Sequence, residues 1–160
     1  MVRVSGSGKE LKRICWLIVA GLLGACTPAA EFTAATGQPV SLRHFVGKPL
    51  LVNYFAPWCA PCLREMPRLN ALAAEGEISV VAINYDPITP TELGQLATRY
   101  EIKVPLLIAN ADASLPFPRP GALPTSYLLD SEGKLKQTLV GELDPSKIEM
   151  LRAAASSVSH

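Results

Sequence analysis

Two of the four cysteines in this 160-residue chain, Cys59 and Cys62, are separated by only two residues. Thiols with this spacing at the start of a helix lie within one turn and can close a disulfide across a small ring. The free N–H groups and positive dipole of the helix stabilise the thiolate of the first cysteine, whereas the second lies further into the turn. The spacing therefore predicts reversible thiol–disulfide exchange, with Cys59 as the nucleophile and Cys62 as the resolving thiol. This chemistry requires no metal or organic cofactor.

Metal binding is an alternative use of the same two cysteines. A structural zinc site normally takes four Cys or His ligands, and His44 and His160 are the only histidines in the sequence. Zinc is therefore not expected. Soft thiolates also bind Cu(I), although no Met-rich or His-rich tract lies beside the pair. Copper delivery stays open as a different class of function, and so do thiol oxidation and disulfide isomerisation, which would use the same cysteines.

Composition and charge limit the class of protein and its partners. The chain has 15 Lys and Arg against 14 Asp and Glu, a net charge of +1, which is too small for the broad basic surface that nucleic-acid binding needs. A hydrophobic share of 49% with 18% charged residues excludes an intrinsically disordered chain. The length is that of a single domain.

The N-terminus has the pattern of a secretory signal peptide. Its basic residues come first and are Arg3, Lys9, Lys12 and Arg13. They precede an uncharged run of 12 residues over 14–25, whereas a helix that crosses a bilayer needs about 20. The run ends at Leu23-Gly24-Ala25-Cys26, which resembles the lipobox of bacterial lipoproteins, in which the cysteine carries a diacylglycerol. An ordinary secretory signal that has a cysteine near the cleavage point is the alternative.

Cleavage before Cys26 would discard Cys15 and leave 135 residues with a net charge of −2, because the removed segment carries Glu10 beside its four basic residues. Acyl chains on Cys26 would then attach the protein to a membrane outside the cytoplasm, where disulfides persist. We therefore divide the chain into a signal peptide over 1–25, a lipidated linker over 26–31 and a folded domain over 32–157.

The pattern of strands and helices places the cysteine pair between a buried strand and a helix. Residues 50–55 are mostly apolar without alternation, which is typical of a strand covered on both faces, and the helix after Cys59 should end at Gly76. A hairpin is expected over 32–42, further strands over 78–84, 104–108, 126–130 and 135–140, and further helices from Pro90 and Pro145. This order predicts an α/β fold with a mixed central sheet sandwiched by helices. Residues 109–124 are too rich in proline for a helix.

Two motifs in this chain resemble those of thioredoxin-fold proteins. They are Trp58-Cys59-Ala60-Pro61-Cys62, followed by Arg64-Glu65-Met66-Pro67, and Leu123-Pro124-Thr125 with the strand that follows. The chain resembles the TlpA and ResA type of extracytoplasmic thiol-disulfide oxidoreductases, from about Phe32 to Ala155. The resemblance implies a thioredoxin-like domain with an N-terminal β-hairpin. It also implies thiol-disulfide oxidoreductase activity, most often as a reductase.

The resemblance assigns roles to single residues. It implies a cis peptide bond between Leu123 and Pro124, with this proline packed against the active-site sulfurs. It makes Glu65 the residue that exchanges a proton with Cys62, although a solvated surface glutamate is the alternative. Asn53 stands where cytoplasmic thioredoxins carry a buried Asp, so proton exchange would fall to Glu65 or water. The residues expected at the partner surface are Trp58, Ala60, Pro61, Leu123 and Thr125.

The resemblance also implies two protein partners for a monomeric enzyme. A membrane thiol-reductant transporter would supply electrons, and apocytochrome c or another thiol protein would receive them during cytochrome c maturation. Membrane contact would come from lipid on Cys26. The proline-rich residues 116–124 lie where these relatives usually carry a short helix. The partner specificity of the relatives therefore does not transfer directly to this chain.

Overall fold

A mixed sheet of seven strands forms the centre of the described part of the chain. The computed structural model describes residues 30–158, with side chains as far as residue 155. The strands are β1 (Phe32–Ala34), β2 (Pro39–Val40), β3 (Leu50–Phe55), β4 (Ser79–Asn84), β5 (Leu106–Ala109), β6 (Thr125–Leu129) and β7 (Leu135–Val140). The helices are a 3₁₀ helix at Leu42–Phe45 and the α-helices α1 (Ala60–Glu75), α2 (Pro90–Arg99) and α3 (Pro145–Val158).

The order of the strands across the sheet is β2-β1-β5-β4-β3-β6-β7. Strands β3, β4 and β5 run parallel, whereas β6 is antiparallel to β3. All six residues of β3 are buried, because neighbouring strands cover its edges and packed side chains cover both faces. The register pairs Tyr54 with Thr125. The end of β3 and the start of β6 therefore lie at the same edge of the sheet.

The two faces of the sheet are covered by different parts of the chain. One hydrophobic cluster joins Leu51 and Phe55 of the sheet to buried residues of all three α-helices, among them Leu69 and Leu93. The cluster on the other face contains no α-helical residue within the described range. The members of this cluster from outside the sheet are Phe117 and the partly buried Leu42, Phe45, Tyr85, Leu115 and Leu123. The proline-rich segment and the 3₁₀ helix thus cover the face that the α-helices leave free.

The predicted α/β fold with a mixed sheet, flanking helices and an N-terminal hairpin is confirmed. The expectation that helices sandwich the sheet needs correction, because the buried α-helical residues join one cluster only. The hairpin is also shorter than predicted, since its second strand ends at Val40. Ser41 instead caps the 3₁₀ helix, where its hydroxyl accepts a hydrogen bond from the N–H of Arg43.

The predicted signal peptide and Cys26 lie outside the described residues. Within residues 30–158 we find no helix long and apolar enough to cross a membrane.

Candidate active site

Cys59 and Cys62 are joined by a disulfide at the N-terminus of α1, with their Cα atoms 5.3 Å apart. Cys59 is the N-cap of the helix, and the Cys62 N–H donates to its sulfur over 3.3 Å. Both cysteines are buried. The prediction that the two thiols pair within one turn is confirmed, and the sulfur of Cys59 faces the free N–H groups of a 16-residue helix.

The local sequence explains why the helix begins at this point. A turn follows β3, closed by a hydrogen bond from the Cys59 N–H to the carbonyl of Ala56 over 3.0 Å. Pro61 occupies the second helical position, where its missing N–H removes no hydrogen bond. The first bond of the helix runs from the Leu63 N–H to the carbonyl of Cys59 over 3.1 Å. The turn and the proline thus hold Cys59 at the end of a central strand and the start of a helix.

The peptide bond between Leu123 and Pro124 is cis, as predicted. Pro124 is buried, and its carbonyl accepts a hydrogen bond from the N–H of Gly141 over 2.8 Å. Strand β6 begins at the next residue, Thr125. Since β3 and β6 are antiparallel neighbours, the proline comes to the edge of the sheet that also carries the cysteines.

Glu65 is fully buried in α1 rather than solvated. Its Oε1 accepts a hydrogen bond of 2.7 Å from the side-chain amide of Asn53, and its Oε2 accepts one of 2.6 Å from the N–H of Leu143. Burial raises the pKa of Glu65 to about 7, against the two hydrogen bonds, which favour the carboxylate. The negative charge of Glu142 also raises this pKa, and the positive charge of Lys147 lowers it. Glu65 can therefore gain or lose a proton near neutral pH.

Asn53 connects this carboxyl group to the strand that follows the cis-proline. Its Nδ2 also donates to the hydroxyl of Ser126 over 2.9 Å, and its buried Oδ1 has no partner within the described residues. The sequence singled out Asn53 and Glu65 separately but did not indicate Ser126 or Leu143. Only the strand register, which pairs Asn53 with Ser126, could have indicated the hydrogen bond between these two side chains.

The residues predicted for the partner surface differ in exposure. Trp58 is 65% exposed, and its indole N–H donates to the carboxylate of Asp86 over 2.6 Å. Ala60 is exposed, whereas Pro61 and Leu123 are partly buried. The expectation that Thr125 lies at the partner surface needs correction, because its side chain is buried and its hydroxyl donates to the carbonyl of Ala122 over 2.9 Å. Thr125 therefore fixes the turn at the cis-proline instead of facing a partner with its side chain.

No group of three or more His, Cys, Asp and Glu side chains that could hold a metal ion occurs in the described part of the chain.

Residues 23–138 match the AhpC/TSA family. The chain is 31% identical over 134 residues to the thioredoxin-like protein YneN of Bacillus subtilis (strain 168), covering 79% of this chain and 76% of that protein. It is 30% identical over 131 residues to the thiol-disulfide oxidoreductase ResA of Geobacillus kaustophilus (strain HTA426), covering 79% of this chain and 74% of that protein.

A solved structure supports the same fold. The exposed lipoprotein thioredoxin of Streptococcus pneumoniae strain TIGR4 superposes with a TM-score of 0.67 at 20% identity, covering 81% of this chain and 98% of that one. At this identity the likeness establishes the thioredoxin-like fold. It does not extend to the partners of that protein.

Proposed function

The chain belongs to the AhpC/TSA family and is a thiol-disulfide oxidoreductase, and from this premise we propose that it reduces disulfides of partner proteins outside the cytoplasm. The observation that carries the proposal is the Cys59–Cys62 disulfide at a helix N-terminus, one turn before a buried glutamate. Such a pair can cycle between dithiol and disulfide, and a group that titrates near pH 7 can serve the proton transfers that accompany the cycle.

In the first step, the thiolate of Cys59 in the reduced enzyme attacks one sulfur of the partner disulfide. The partner S–S bond breaks, a mixed disulfide with Cys59 forms, and the partner's other sulfur leaves as a thiolate that takes up a proton. The helix N-terminus stabilises the attacking thiolate. Pro124, at the same edge of the sheet, would pack against the mixed disulfide.

In the second step, Cys62 releases the partner. Its thiol gives up a proton, and the resulting thiolate attacks the sulfur of Cys59 and expels the partner's second thiolate, which takes up the second proton. The enzyme ends as the Cys59–Cys62 disulfide, and two electrons and two protons have reached the partner. We assign Glu65 as the proton acceptor for Cys62, directly or through one water, because it lies one helical turn away and is buried.

The location and the partners form the finer part of the proposal. Lipid on Cys26 would hold the domain at the outer side of a bacterial membrane, a location supported by the sequence pattern ahead of this cysteine and by the lipoprotein among the structural relatives. Because the compartment is oxidising, a membrane thiol-reductant transporter would have to reduce the pair again. Apocytochrome c is the proposed acceptor class, as in cytochrome c maturation.

The reduction potential tests the direction of electron flow. We would equilibrate the protein in thiol-disulfide buffers of known potential and measure the fraction of Cys59–Cys62 disulfide. A reductase is expected near the thioredoxin value of about −270 mV, whereas a value near about −120 mV would show an oxidase. Titration of the reduced protein with Cu(I) would test the copper alternative. Tight copper binding without disulfide exchange would contradict the proposal.

Replacement of single cysteines tests the order of the two steps. Cys62→Ala should accumulate a mixed disulfide with the partner, since nothing resolves it, and Cys59→Ala should abolish turnover. The mixed disulfide of Cys62→Ala can be detected by non-reducing electrophoresis and mass spectrometry of proteins trapped in cells, and the loss of turnover in Cys59→Ala by its rate with a model disulfide. If Cys59→Ala still reduces a model disulfide at the wild-type rate, the assigned nucleophile is wrong.

A further inference from the structure

A cleft of about 710 Å³ is lined in part by Asp86, the residue that accepts the hydrogen bond from Trp58. One side is formed by the residues at and after the end of β4, and the other by the segment that follows β5. Tyr54 and Phe117 line its apolar part, and Asp86 and Arg119 are its charged lining residues. We call it the Arg119 cleft. Its volume lies within the range of pockets that bind ligands in proteins.

The Arg119 cleft is connected to the cysteine pair through a chain of contacts. Trp58, next to Cys59, donates to Asp86, and the neighbouring residue Tyr85 accepts a hydrogen bond of 2.7 Å from Arg119 through its carbonyl oxygen. A partner that reacts with Cys59 must also cover the exposed indole of Trp58. The residues beside the partner's cysteine are therefore brought over the cleft.

Arg119 is held in place without a carboxylate partner. Its guanidinium lies 4.1 Å from the centre of the Tyr85 ring, and within the described residues Arg119 forms no ion pair. Its charge also reaches the phenol of Tyr54, where it opposes the effect of burial, which raises the pKa of that group to about 12. The stacking and the hydrogen bond fix the guanidinium, while its other N–H groups stay available for an oxyanion.

The charges of the cleft indicate which partner chemistry it fits. Asp86 already accepts a hydrogen bond from Trp58, whereas Arg119, the other charged lining residue, forms no ion pair within the described residues. A fixed guanidinium matches the planar fork of a carboxylate and loses little conformational entropy when it binds one. A basic side chain at the same place would meet repulsion from Arg119.

We propose that the Arg119 cleft receives an acidic side chain of the partner polypeptide, a few residues from the cysteine that Cys59 engages. This inference rests on the proposed function and names a substrate class for it. Eight of the fifteen lining residues lie within 109–119, and two of them, Phe117 and Arg119, belong to the proline-rich residues 116–124; this part of the chain has no helix. The preference for an acidic residue near the partner's cysteine therefore depends on the segment of this chain that carries Arg119.

The test uses the full-length protein and disulfide peptides that differ only in the residues flanking one cysteine, which are Glu, Gln or Lys. We expect the reduced wild-type protein to reduce the Glu peptide about fivefold faster than the Gln peptide, the effect of one favourable surface ion pair. The Lys peptide should be slowest. High salt should diminish the differences.

Variants at position 119 identify the residue responsible. Arg119→Ala should reduce the Glu and Gln peptides at equal rates, Arg119→Lys should keep part of the preference, and Arg119→Glu should favour the Lys peptide. The matched control is Lys136→Ala, which removes an exposed cation from β7 at the opposite end of the sheet and should behave as wild type. Circular dichroism spectra and denaturant unfolding curves of all variants that match those of the wild type would exclude unfolding.

Either of two results would overturn the inference: a wild-type protein that shows no preference between the Glu, Gln and Lys peptides, or an Arg119→Ala variant that keeps the wild-type preference. Failure of the proposed function would look different. If the protein oxidises dithiol peptides but does not reduce the corresponding disulfides, the direction of electron flow is wrong, and the charge preference is then measured from the oxidation rates of the same peptides.

Discussion

At the scale of single residues, the main feature is a carboxyl group whose protonation is set by opposing effects. Burial of Glu65 favours the neutral acid, whereas hydrogen bonds from Asn53 and the N–H of Leu143 favour the carboxylate. Each carboxyl oxygen thus accepts one hydrogen bond. The balance brings the pKa to about 7, which suits a group that must both accept and return a proton.

Glu65→Gln should remove the inflection near pH 7 from the pH dependence of the resolving step. Because the pKa of Glu65 is about 7, the carboxylate that accepts the Cys62 proton forms as the pH rises through 7, and the wild-type rate should rise with it. In the glutamine variant the inflection near pH 7 is lost, only the rise from ionisation of Cys62 itself is left, and at pH 8 resolution should be about 100-fold slower, the lower range of general-base effects. Rapid-mixing measurements of mixed-disulfide decay from pH 6 to 9 would show it. Equal profiles for both proteins would exclude this role.

Asn53→Leu should raise the pKa of Glu65 further, because the variant removes a hydrogen-bond donor to the carboxylate. A hydrogen bond to a charged group contributes about 1.5–3 kcal/mol, equivalent to about one to two pH units. The inflection in the resolving rate should move to higher pH by that amount. Ser126→Ala is the matched control, since it removes the other acceptor of the same amide but keeps the donor to Glu65. An unchanged inflection in Asn53→Leu would contradict the assignment.

At the scale of elements, the two ends of α1 are capped by residues of different kinds, a reactive cysteine at the N-terminus and a glycine at the C-terminus. Its N-terminus is capped by Cys59 itself, so that the reactive residue and the helix start cannot be separated. Its C-terminus ends at Gly76, whose φ of +81° is left-handed. The helix thus begins at its reactive cysteine and ends at a glycine whose left-handed backbone conformation terminates it.

Two glycine substitutions should change the free energy of unfolding in opposite directions. Gly76→Ala should destabilise the protein by about 1 kcal/mol, because its left-handed backbone disfavours a Cβ although nothing lies within 4 Å of that position. Gly94→Ala, in the interior of α2 and equally free of neighbours, should stabilise it by up to about 1 kcal/mol. Denaturant titrations of both variants measure the difference. Equal effects would show that backbone conformation is not the cause.

The proline-rich segment is the element that distinguishes this domain. The α-helices supply buried side chains to one cluster, and Phe117 contributes to the cluster on the opposite face. Its ring stacks on that of Tyr127, with centroids 4.7 Å apart. A segment without a helix thus covers part of the sheet and also carries Arg119 to the rim of the active site.

At the scale of the whole molecule, the folded domain and its proposed attachment are independent parts. The described residues hold the redox pair, the cis-proline and Glu65, whereas Cys26 precedes them. Attachment by lipid would keep the domain at the membrane surface without a spanning helix, because several acyl chains bind a bilayer firmly. The domain could then meet a membrane electron donor and a mobile partner from one position.

Cys26→Ser should move the protein from the membrane fraction to the soluble fraction of cells, because the serine cannot carry the thioether-linked lipid. Exchange activity with a small disulfide should stay at the wild-type level, since the redox pair is untouched. Cell fractionation with detection of the protein measures the distribution, and mass spectrometry measures the lipid. If the serine variant stays with the membrane, attachment does not depend on this cysteine.

The sequence by itself determined the redox pair, the cis-proline, the mixed sheet and most element positions, because these depend on local spacing, on apolar runs and on motifs. It also singled out Asn53 and Glu65, but not their contact. Tertiary structure alone decided that contact, the burial of Thr125, the helix-free cluster around Phe117 and the place of Arg119 beside Trp58 and Asp86. Each of these depends on strand register or on the packing of residues far apart in the chain, which no local pattern encodes.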